Sequence, residues 1–196
     1  MNTPPATLTL LISGSGSNLA AIINAIAHKR LNARIERVIA DRDCAGKQHA
    51  FSADIPFTLI DRHLPPNEFA EALNHAISEQ TNLIVLAGFL SIIPKRLIAR
   101  FPKKIINLHP SLLPKYGGMG MYGKKVHQAV IKAKEQESGC TIHYVDQGID
   151  TGEIIAQARV PVYLQDTPET LQQRIQKQEH ELLIHTLITL LHPKAF

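Results

Sequence analysis

Apolar runs alternate with segments of helical periodicity over the first hundred residues of the chain. The short runs are rich in β-branched residues and predict strands at 8–12, 34–40, 57–60, 83–87 and 105–108. The periodic segments predict helices at 18–28, at 46–53 and after Pro65 and Pro94. Such alternation is typical of α/β proteins with right-handed crossovers. The pattern predicts a Rossmann-like, doubly wound, mostly parallel sheet with helices on both faces.

The pattern changes after Pro114. Residues 117–123 are rich in glycine and methionine and predict a mobile loop, which is followed by a helix at 124–134. Alternating apolar and polar residues then predict two further strands, at 140–145 and 154–162. This second part of the chain contributes fewer helices than the first.

A long final helix is expected to begin after Thr167 and to end near Leu191. Thr167 is a suitable N-cap because its hydroxyl can accept a hydrogen bond from a first-turn N–H, and Pro168 suits the first helical position. Because Thr170 stands where a capping box has glutamate or glutamine, we expect the box to be incomplete.

Composition narrows the class of protein. The chain has 196 residues, of which 44% are hydrophobic, and a net charge of +4. This hydrophobic content excludes a disordered regulator, and no apolar run reaches the ~18 residues of a membrane-spanning helix. Residues 1–6 lack the features of a secretory signal, so we expect a cytoplasmic protein with no membrane partner. The basic residues are dispersed without a recognition module, so we expect no nucleic-acid partner.

No motif in the sequence predicts a metal site. Cys44 and Cys140 are far apart and form no C-x-x-C pair, which favours two inert buried thiols. His180 and His185 are separated by one residue more than the H-E-x-x-H zinc motif requires, so their imidazoles would not share a helix face. We therefore expect no metal cofactor.

A glycine-rich loop, 14–18, follows the first strand and begins the first helix. In that setting, backbone N–H groups and the positive end of the helix dipole form an anion site. The loop is not a dinucleotide-binding motif, because Leu19 replaces the third glycine, and no Gly-Lys-Ser/Thr follows as in a Walker A loop. The alternative is a plain tight turn in which Ser17 or Asn18 caps the helix.

Asn107 and His109 lie two residues apart at the end of a predicted strand, so their side chains point to the same side. The carboxyl ends of such strands are where ligands of open α/β folds bind. An amide donor beside an imidazole suits stabilisation of charge on a carbonyl oxygen. The alternative is a structural histidine beside a proline turn, and the Asn-x-His pair at this position favours function.

Two carboxylates, Asp146 and Asp150, lie in the glycine-containing turn after the strand at 140–145. Aspartate favours such turns for conformational reasons alone. The functional interpretation is that one of them pairs with His109 and keeps it protonated near neutral pH. Spacing does not choose between the two, and His143 is a second candidate partner.

Five motifs together resemble the phosphoribosylglycinamide formyltransferases, a family within the 10-formyltetrahydrofolate-dependent formyltransferases. In chain order they are residues 12–19, 85–89, 107–114, 150–152 and 178–180. The third and fourth motifs are shared with the wider group, whereas the first is specific to the glycinamide ribonucleotide branch because it holds the substrate phosphate.

The resemblance covers nearly the whole chain, from residue 8 to about 191. It implies a formyltransferase fold and a single domain over 1–196, with a phosphate-binding half at about 1–100 and a catalytic and folate-binding half at about 101–196.

The resemblance also implies a reaction, transfer of a formyl group from 10-formyltetrahydrofolate to the amine of glycinamide ribonucleotide in purine (IMP) biosynthesis. Asn107 and a protonated His109 would stabilise the oxyanion. Asp150 would raise the pKa of His109 and position a water for proton transfer.

Binding residues follow from the same resemblance. The phosphate would be bound by Gly16, Ser17 and Asn18. The ribose and glycinamide would be reached by Gln176, Lys177, Gln178 and Glu179. The pterin would be held, largely through backbone groups, by Leu90, Ser91, Ile92, Ile93, Asn107, Asp146, Gln147, Gly148, Ile149 and Asp150. The chain departs from the family pattern in two places, since Ser91 stands in an arginine position and 117–123 replaces a Pro-Gly-Leu-His sequence.

Two other functions stay open on the sequence. One is a formyltransferase for another amine, such as an amino sugar nucleotide, and the other is a non-catalytic phosphometabolite-binding module built on the loop at 14–18. The expected partners are small molecules, glycinamide ribonucleotide and folate, and the expected assembly is a monomer or homodimer.

Overall fold

The computed structural model describes residues 4–192 of the chain. Its elements, in chain order, are β1 (Ala6–Ile12), α1 (Ser17–Ala27), β2 (Ala33–Ala40), α2 (Lys47–Ser52), β3 (Phe57–Leu59), α3 (Pro66–Ala76), β4 (Leu83–Leu86), α4 (Lys95–Arg100), β5 (Ile105–His109), α5 (Lys124–Lys132), β6 (Glu137–Tyr144), β7 (Ile154–Pro161) and α6 (Pro168–Leu191). Each predicted strand and helix is confirmed, with ends shifted by three residues or fewer.

The strands form a seven-stranded sheet in the order β3-β2-β1-β4-β5-β6-β7. The pairs β1–β2, β1–β4 and β2–β3 are parallel, and β6–β7 is antiparallel. The predicted α/β class with a mostly parallel sheet is therefore confirmed. None of the helices within 4–192 is long and apolar enough to cross a membrane.

The described residues divide into two compact units. The first unit comprises 4–106 and 187–192, and the second comprises 107–186. The expectation of one functional domain over 1–196, with halves that meet near residue 100, stays a prediction.

The first unit is built around β1, which pairs with β2 on one side and β4 on the other. Six of the seven residues of β1 and all four of β4 are buried, as expected for interior strands of a parallel sheet covered on both faces. The N–H of Ser13, just after β1, donates to the carbonyl oxygen of Gly88 at 3.1 Å. The carboxyl ends of β1 and β4 are thereby tied together.

The second unit contains an antiparallel hairpin of β6 and β7. Thr141 of β6 fixes the turn that follows His109, because its hydroxyl donates to the carbonyl oxygen of Ser111 at 2.7 Å and accepts from the N–H of Leu113 at 3.0 Å. The Gln157 amide of β7 donates to the same hydroxyl at 2.9 Å. The backbone after β5 is thus held in place by β6 and β7.

The N-terminus of α6 corrects one expectation. The N–H of Thr170 donates to Thr167 Oγ1 at 3.3 Å, and the N–H of Thr167 donates to Thr170 Oγ1 at 3.0 Å. Thr167 is therefore the N-cap, as predicted, but the expectation of an incomplete capping box is wrong. The Thr170 hydroxyl returns the hydrogen bond that glutamate usually supplies.

Candidate active site

The second unit brings Asn107, His109 and Asp150 together at the end of β5. Asn107 Nδ2 lies 3.3 Å from Asp150 Oδ1, and His109 Nδ1 lies 3.4 Å from Asp150 Oδ2. Both side chains of β5 therefore reach one carboxylate, as their two-residue spacing predicts. His143, on β6, lies at the same carboxylate, with Nε2 3.6 Å from Asp150 Oδ1.

The turn after β6 separates the roles of its two carboxylates. Asp146 Oδ1 accepts hydrogen bonds from the N–H of Gly148 at 3.0 Å and from the hydroxyl of Thr151 at 2.7 Å. Asp146 therefore closes the turn, which is the conformational role that aspartate often has. Asp150 is the carboxylate that faces His109, so the structure makes the choice that spacing could not.

His109 is held from both sides of its ring, and only 4% of the residue is exposed. Its Nε2 lies 2.8 Å from the carbonyl oxygen of Tyr116, which can only accept, so Nε2–H is the donor. The other ring nitrogen, Nδ1, faces the Asp150 carboxylate. The orientation of the imidazole is thereby determined.

The charge state of His109 reflects opposing effects. Burial lowers the pKa of the imidazole because it disfavours the charged form, whereas the Asp150 carboxylate and the Tyr116 carbonyl raise it, and His143 lowers it further. The net pKa lies below the usual value of 6.5. Asp150 therefore raises the pKa of His109, as expected from the sequence, while burial, which the sequence did not reveal, outweighs this effect.

Asp150 is held as a carboxylate. Burial by itself raises its pKa, but the imidazoles of His143 and His109 and the N–H of Gly118 outweigh burial and leave the pKa below its usual value. The Gly118 N–H donates to Asp150 Oδ2 at 3.0 Å. Asp150 is therefore ionised at neutral pH and available as a proton acceptor.

Sequence reasoning missed two backbone groups of this site. The carbonyl of Tyr116, just before the glycine-rich stretch at 117–123, contacts His109, and the N–H of Gly118, within that stretch, contacts Asp150. Tyr116 adopts a positive φ of 56°. A tyrosine gives no sequence signal for this conformation, so these contacts could not be predicted.

His127, on α5, is a further buried histidine that the sequence did not single out. It is 1% exposed, and its Nδ1 has no hydrogen-bond partner within residues 4–192. Burial, with a smaller effect from His109, lowers the pKa of His127 to about 4. The folded protein therefore holds His127 neutral, whereas an unfolded chain would protonate it near its usual pKa of 6.5.

Protonation of His127 thus favours the unfolded state. The stability that the neutral ring contributes above pH 6.5 is lost as the pH falls toward 4. We expect wild type to lose ~2 kcal/mol more of its unfolding free energy than His127→Leu between about pH 7.5 and about pH 5. Urea unfolding at the two pH values measures this difference. The control is Val130→Ala, a buried position of the same helix without a titrating group, whose pH dependence should follow wild type. Equal losses in wild type and His127→Leu would contradict the prediction.

The predicted anion loop lies in the first unit and begins α1. Gly16 is the N-cap, with φ 75°, and no side chain caps the helix. The alternative in which Ser17 or Asn18 acts as the cap is therefore wrong. A Cβ on Gly16 would lie 2.8 Å from Gly46 Cα, so the close approach of the two loops requires glycine. Because no side-chain cap is present at the start of α1, the first-turn N–H groups can bind an anion.

The segment at 90–93 alternates between exposed and buried side chains. Leu90 and Ile92 are 46% and 69% exposed, whereas Ile93 is 5% exposed and belongs to the core. The N–H of Leu90 donates to Ser13 Oγ at 2.8 Å. The hydroxyl of Ser91 donates to the buried Asp41 at 2.6 Å, so this hydroxyl supports the loop from inside.

Asp41, in the first unit, accepts the hydrogen bonds that hold the segment at 90–93. Arg42 donates to it through Nε and Nη2 at 2.9 and 3.0 Å. Burial by itself raises the pKa of Asp41, but hydrogen bonds from Arg42, Ser91 and Ser13 outweigh burial and keep the pKa below its usual value. A charged network therefore holds the segment for which the resemblance implies pterin binding.

The remaining predicted binding residues lie on α6 and in the turn after β6. Lys177 and Gln178 are exposed, while Gln176 and Glu179 are half-buried. Gln147 and Gly148 are exposed and Ile149 is half-buried.

The structure distinguishes the two thiols. Burial, with a contribution from the Glu179 charge, raises the pKa of Cys140 to about 12. Cys140 is therefore the inert buried thiol expected, whereas Cys44 is only half-buried, although burial raises its pKa too. Within residues 4–192, no three histidine, cysteine or carboxylate side chains are grouped to hold a metal ion.

Comparisons with known proteins agree with this architecture. The sequence profile of the formyl transferase family matches residues 7–187. The chloroplastic phosphoribosylglycinamide formyltransferase of Arabidopsis thaliana is 37% identical over 188 residues, which are 92% of this chain and 63% of that protein. The chain thus spans less than two thirds of that relative's length.

Two solved structures are similar over nearly the whole chain. The phosphoribosylglycinamide formyltransferase of Coxiella burnetii is 40% identical with a TM-score of 0.85, covering 93% of this chain and 85% of the other. That of Bacillus halodurans is 32% identical with a TM-score of 0.89, covering 96% and 97%. The chain therefore belongs to the formyl transferase family and groups with its phosphoribosylglycinamide formyltransferases.

Proposed function

We propose that this protein transfers a formyl group from 10-formyltetrahydrofolate to the amine of glycinamide ribonucleotide, a step of purine (IMP) biosynthesis. The observation that carries the proposal is the meeting of Asn107 and His109 at the Asp150 carboxylate, within 3.4 Å, in a member of the formyl transferase family. An amide, an imidazole and an ionised carboxylate are the groups that acyl transfer to an amine needs.

The chemistry assigns a role to each group. The amine adds to the formyl carbon, a C–N bond forms, the bond from that carbon to N10 of the donor breaks, and one proton passes from the amine to N10. Negative charge develops on the formyl oxygen, which Asn107 and His109 stabilise by donating hydrogen bonds. Asp150, ionised by its surroundings, accepts the amine proton through a water and then passes it on to N10 of the donor.

His109 stabilises the developing charge on the formyl oxygen through its ring nitrogen Nδ1. Its Nε2–H is donated to the Tyr116 carbonyl, so Nδ1 is the nitrogen that can face a reacting oxygen. Burial disfavours the imidazolium of His109, but negative charge that develops beside the ring favours it, and the proton then carried on Nδ1 is the one that hydrogen-bonds to the formyl oxygen. The Asp150 carboxylate, 3.4 Å from Nδ1, stabilises the resulting imidazolium.

Substrate binding is proposed on the residues named from the resemblance. The phosphate binds at the uncapped N-terminus of α1, through Gly16, Ser17 and Asn18. Residues 176–179 of α6 contact the ribose and glycinamide. Residues 90–93 and 146–150 bind the pterin, and because the Ser91 hydroxyl is donated to Asp41, Ser91 acts through its backbone. A cytoplasmic location and a monomeric or homodimeric state stay predictions.

One assay tests the proposal. We expect purified protein to form N-formylglycinamide ribonucleotide from 10-formyltetrahydrofolate and glycinamide ribonucleotide, and glycinamide ribonucleotide to raise its Tm. An amino sugar nucleotide should do neither. Turnover of the sugar nucleotide alone would favour the other-amine formyltransferase, and binding of glycinamide ribonucleotide without turnover would favour the non-catalytic module.

A further inference from the structure

His143 contacts the proposed catalytic cluster, but the reaction as proposed does not use it. The residue lies on β6 in the second unit and is 2% exposed. Its Nε2 lies 3.1 Å from Asn107 Nδ2, and its Nδ1 lies 2.8 Å from the carbonyl oxygen of Tyr144. A buried imidazole with both nitrogens engaged is a candidate for setting the geometry of its neighbours.

The Tyr144 carbonyl determines the tautomer of His143. A carbonyl oxygen only accepts hydrogen bonds, so Nδ1 of His143 carries a hydrogen and donates it. In the neutral ring Nε2 is then an acceptor. This acceptor faces the amide nitrogen of Asn107 at 3.1 Å, which donates to it, and it lies 3.6 Å from Asp150 Oδ1, beyond hydrogen-bond distance. The neutral Nδ1–H tautomer is therefore the form that satisfies both contacts.

These contacts also determine the orientation of the Asn107 amide. One of its hydrogens meets His143 Nε2 at 3.1 Å, and the other meets Asp150 Oδ1 at 3.3 Å. Turning the amide over would place its oxygen against an ionised carboxylate and against a nitrogen lone pair, which is repulsive. Asn107 is thus held by two independent acceptors.

The two acceptors are not equivalent. Asp150 accepts the amine proton in the proposed reaction, which weakens its hold on the hydrogen that faces it, whereas His143 keeps its hold on the other; the hydrogen facing Asp150 is therefore the one that can be shared with a formyl oxygen. We propose that His143 is a positioning residue for formyl transfer: as the neutral Nδ1–H tautomer it retains one amide hydrogen of Asn107 while the other is presented to the substrate. A donor oriented in advance needs no reorganisation during the reaction.

Activity of two variants tests this role, which rests on the proposed function. His143→Leu removes the acceptor without adding charge, and we expect it to lower kcat by roughly tenfold while the KM for glycinamide ribonucleotide changes by less than about twofold. His143→Gln keeps an acceptor oxygen on a side chain of similar reach and should restore most of the loss. Wild-type kcat in His143→Leu, or no rescue by glutamine, would overturn the proposal.

A double-mutant cycle separates positioning from general structural damage. If His143 acts through Asn107, His143→Leu should cause no further loss of kcat in an Asn107→Ala background. A loss as large as that in wild type would show that the residues act independently and would refute the role.

Nitrogen NMR of wild type labelled at histidine tests the tautomer without any substrate. We expect the His143 signals of the neutral Nδ1–H form at neutral pH, and an Nε2–H tautomer or an imidazolium would overturn the inference. This measurement also stands if His143→Leu fails to fold. A wild-type enzyme that is inactive on glycinamide ribonucleotide would instead refute the proposed function, whatever the tautomer proves to be.

Discussion

Replacing His109 with alanine is expected to lower kcat for formyl transfer by roughly a hundred- to a thousandfold, the usual effect of removing one donor to a developing oxyanion. The imidazole is buried against Asp150 and held by the Tyr116 carbonyl, whereas the neighbouring His143 is already engaged by the Tyr144 carbonyl and by Asn107. Because the phosphate is proposed to bind at α1 in the first unit, the KM for glycinamide ribonucleotide should change little. Steady-state kinetics at saturating formyl donor measure both quantities.

Two further variants make this result specific. Asp150→Asn keeps the size of the side chain but removes the charge beside His109 and the proton acceptor, so a loss of similar size is expected. His63→Ala is the matched control, because His63 is an exposed histidine of the first unit, paired only with the exposed Asp61 within the described residues. Wild-type turnover in both His109→Ala and Asp150→Asn would remove these residues from the mechanism.

The sheet was predictable because its interior strands are buried on both faces. A strand such as β4 must then be apolar at every position, and the run at 83–87 shows this directly in the sequence. The shared side of Asn107 and His109 was predictable for a related reason, since residues two apart on a strand point the same way. These features depend only on local geometry.

Features that depend on tertiary contacts were not predictable. Asp146 and Asp150 are the same residue type in one turn, and only the folded backbone shows which of them meets His109. The sign of the His109 pKa shift depends on how far burial exceeds the attraction of Asp150. The contact from the Tyr116 carbonyl lies in a segment with a positive φ at a non-glycine residue, for which the sequence has no signal.

The close approach of Gly152 to β6 also became visible only in the structure, and it makes Gly152→Ala a strongly disruptive substitution beside the site. A Cβ on Gly152 would overlap the carbonyl oxygen of Tyr144 and lie 2.8 Å from its carbonyl carbon. That carbonyl accepts the hydrogen bond from His143 Nδ1, and the N–H of Tyr144 donates to Glu153 at 2.9 Å. The added methyl therefore meets backbone that is held on both sides, and no flexible side chain can move out of its way.

We expect Gly152→Ala to lose about 3 kcal/mol of unfolding free energy and to lower Tm by roughly 6–12 °C. Kcat should fall even where the protein is folded, because relief of the overlap displaces the Tyr144 carbonyl from His143. Thermal unfolding measures the first effect, and Gly14→Ala is its control, since a Cβ on Gly14 meets nothing within 4 Å. Equal Tm values for Gly152→Ala and Gly14→Ala would show that β6 yields to the methyl group and that the Tyr144 carbonyl is not rigidly held.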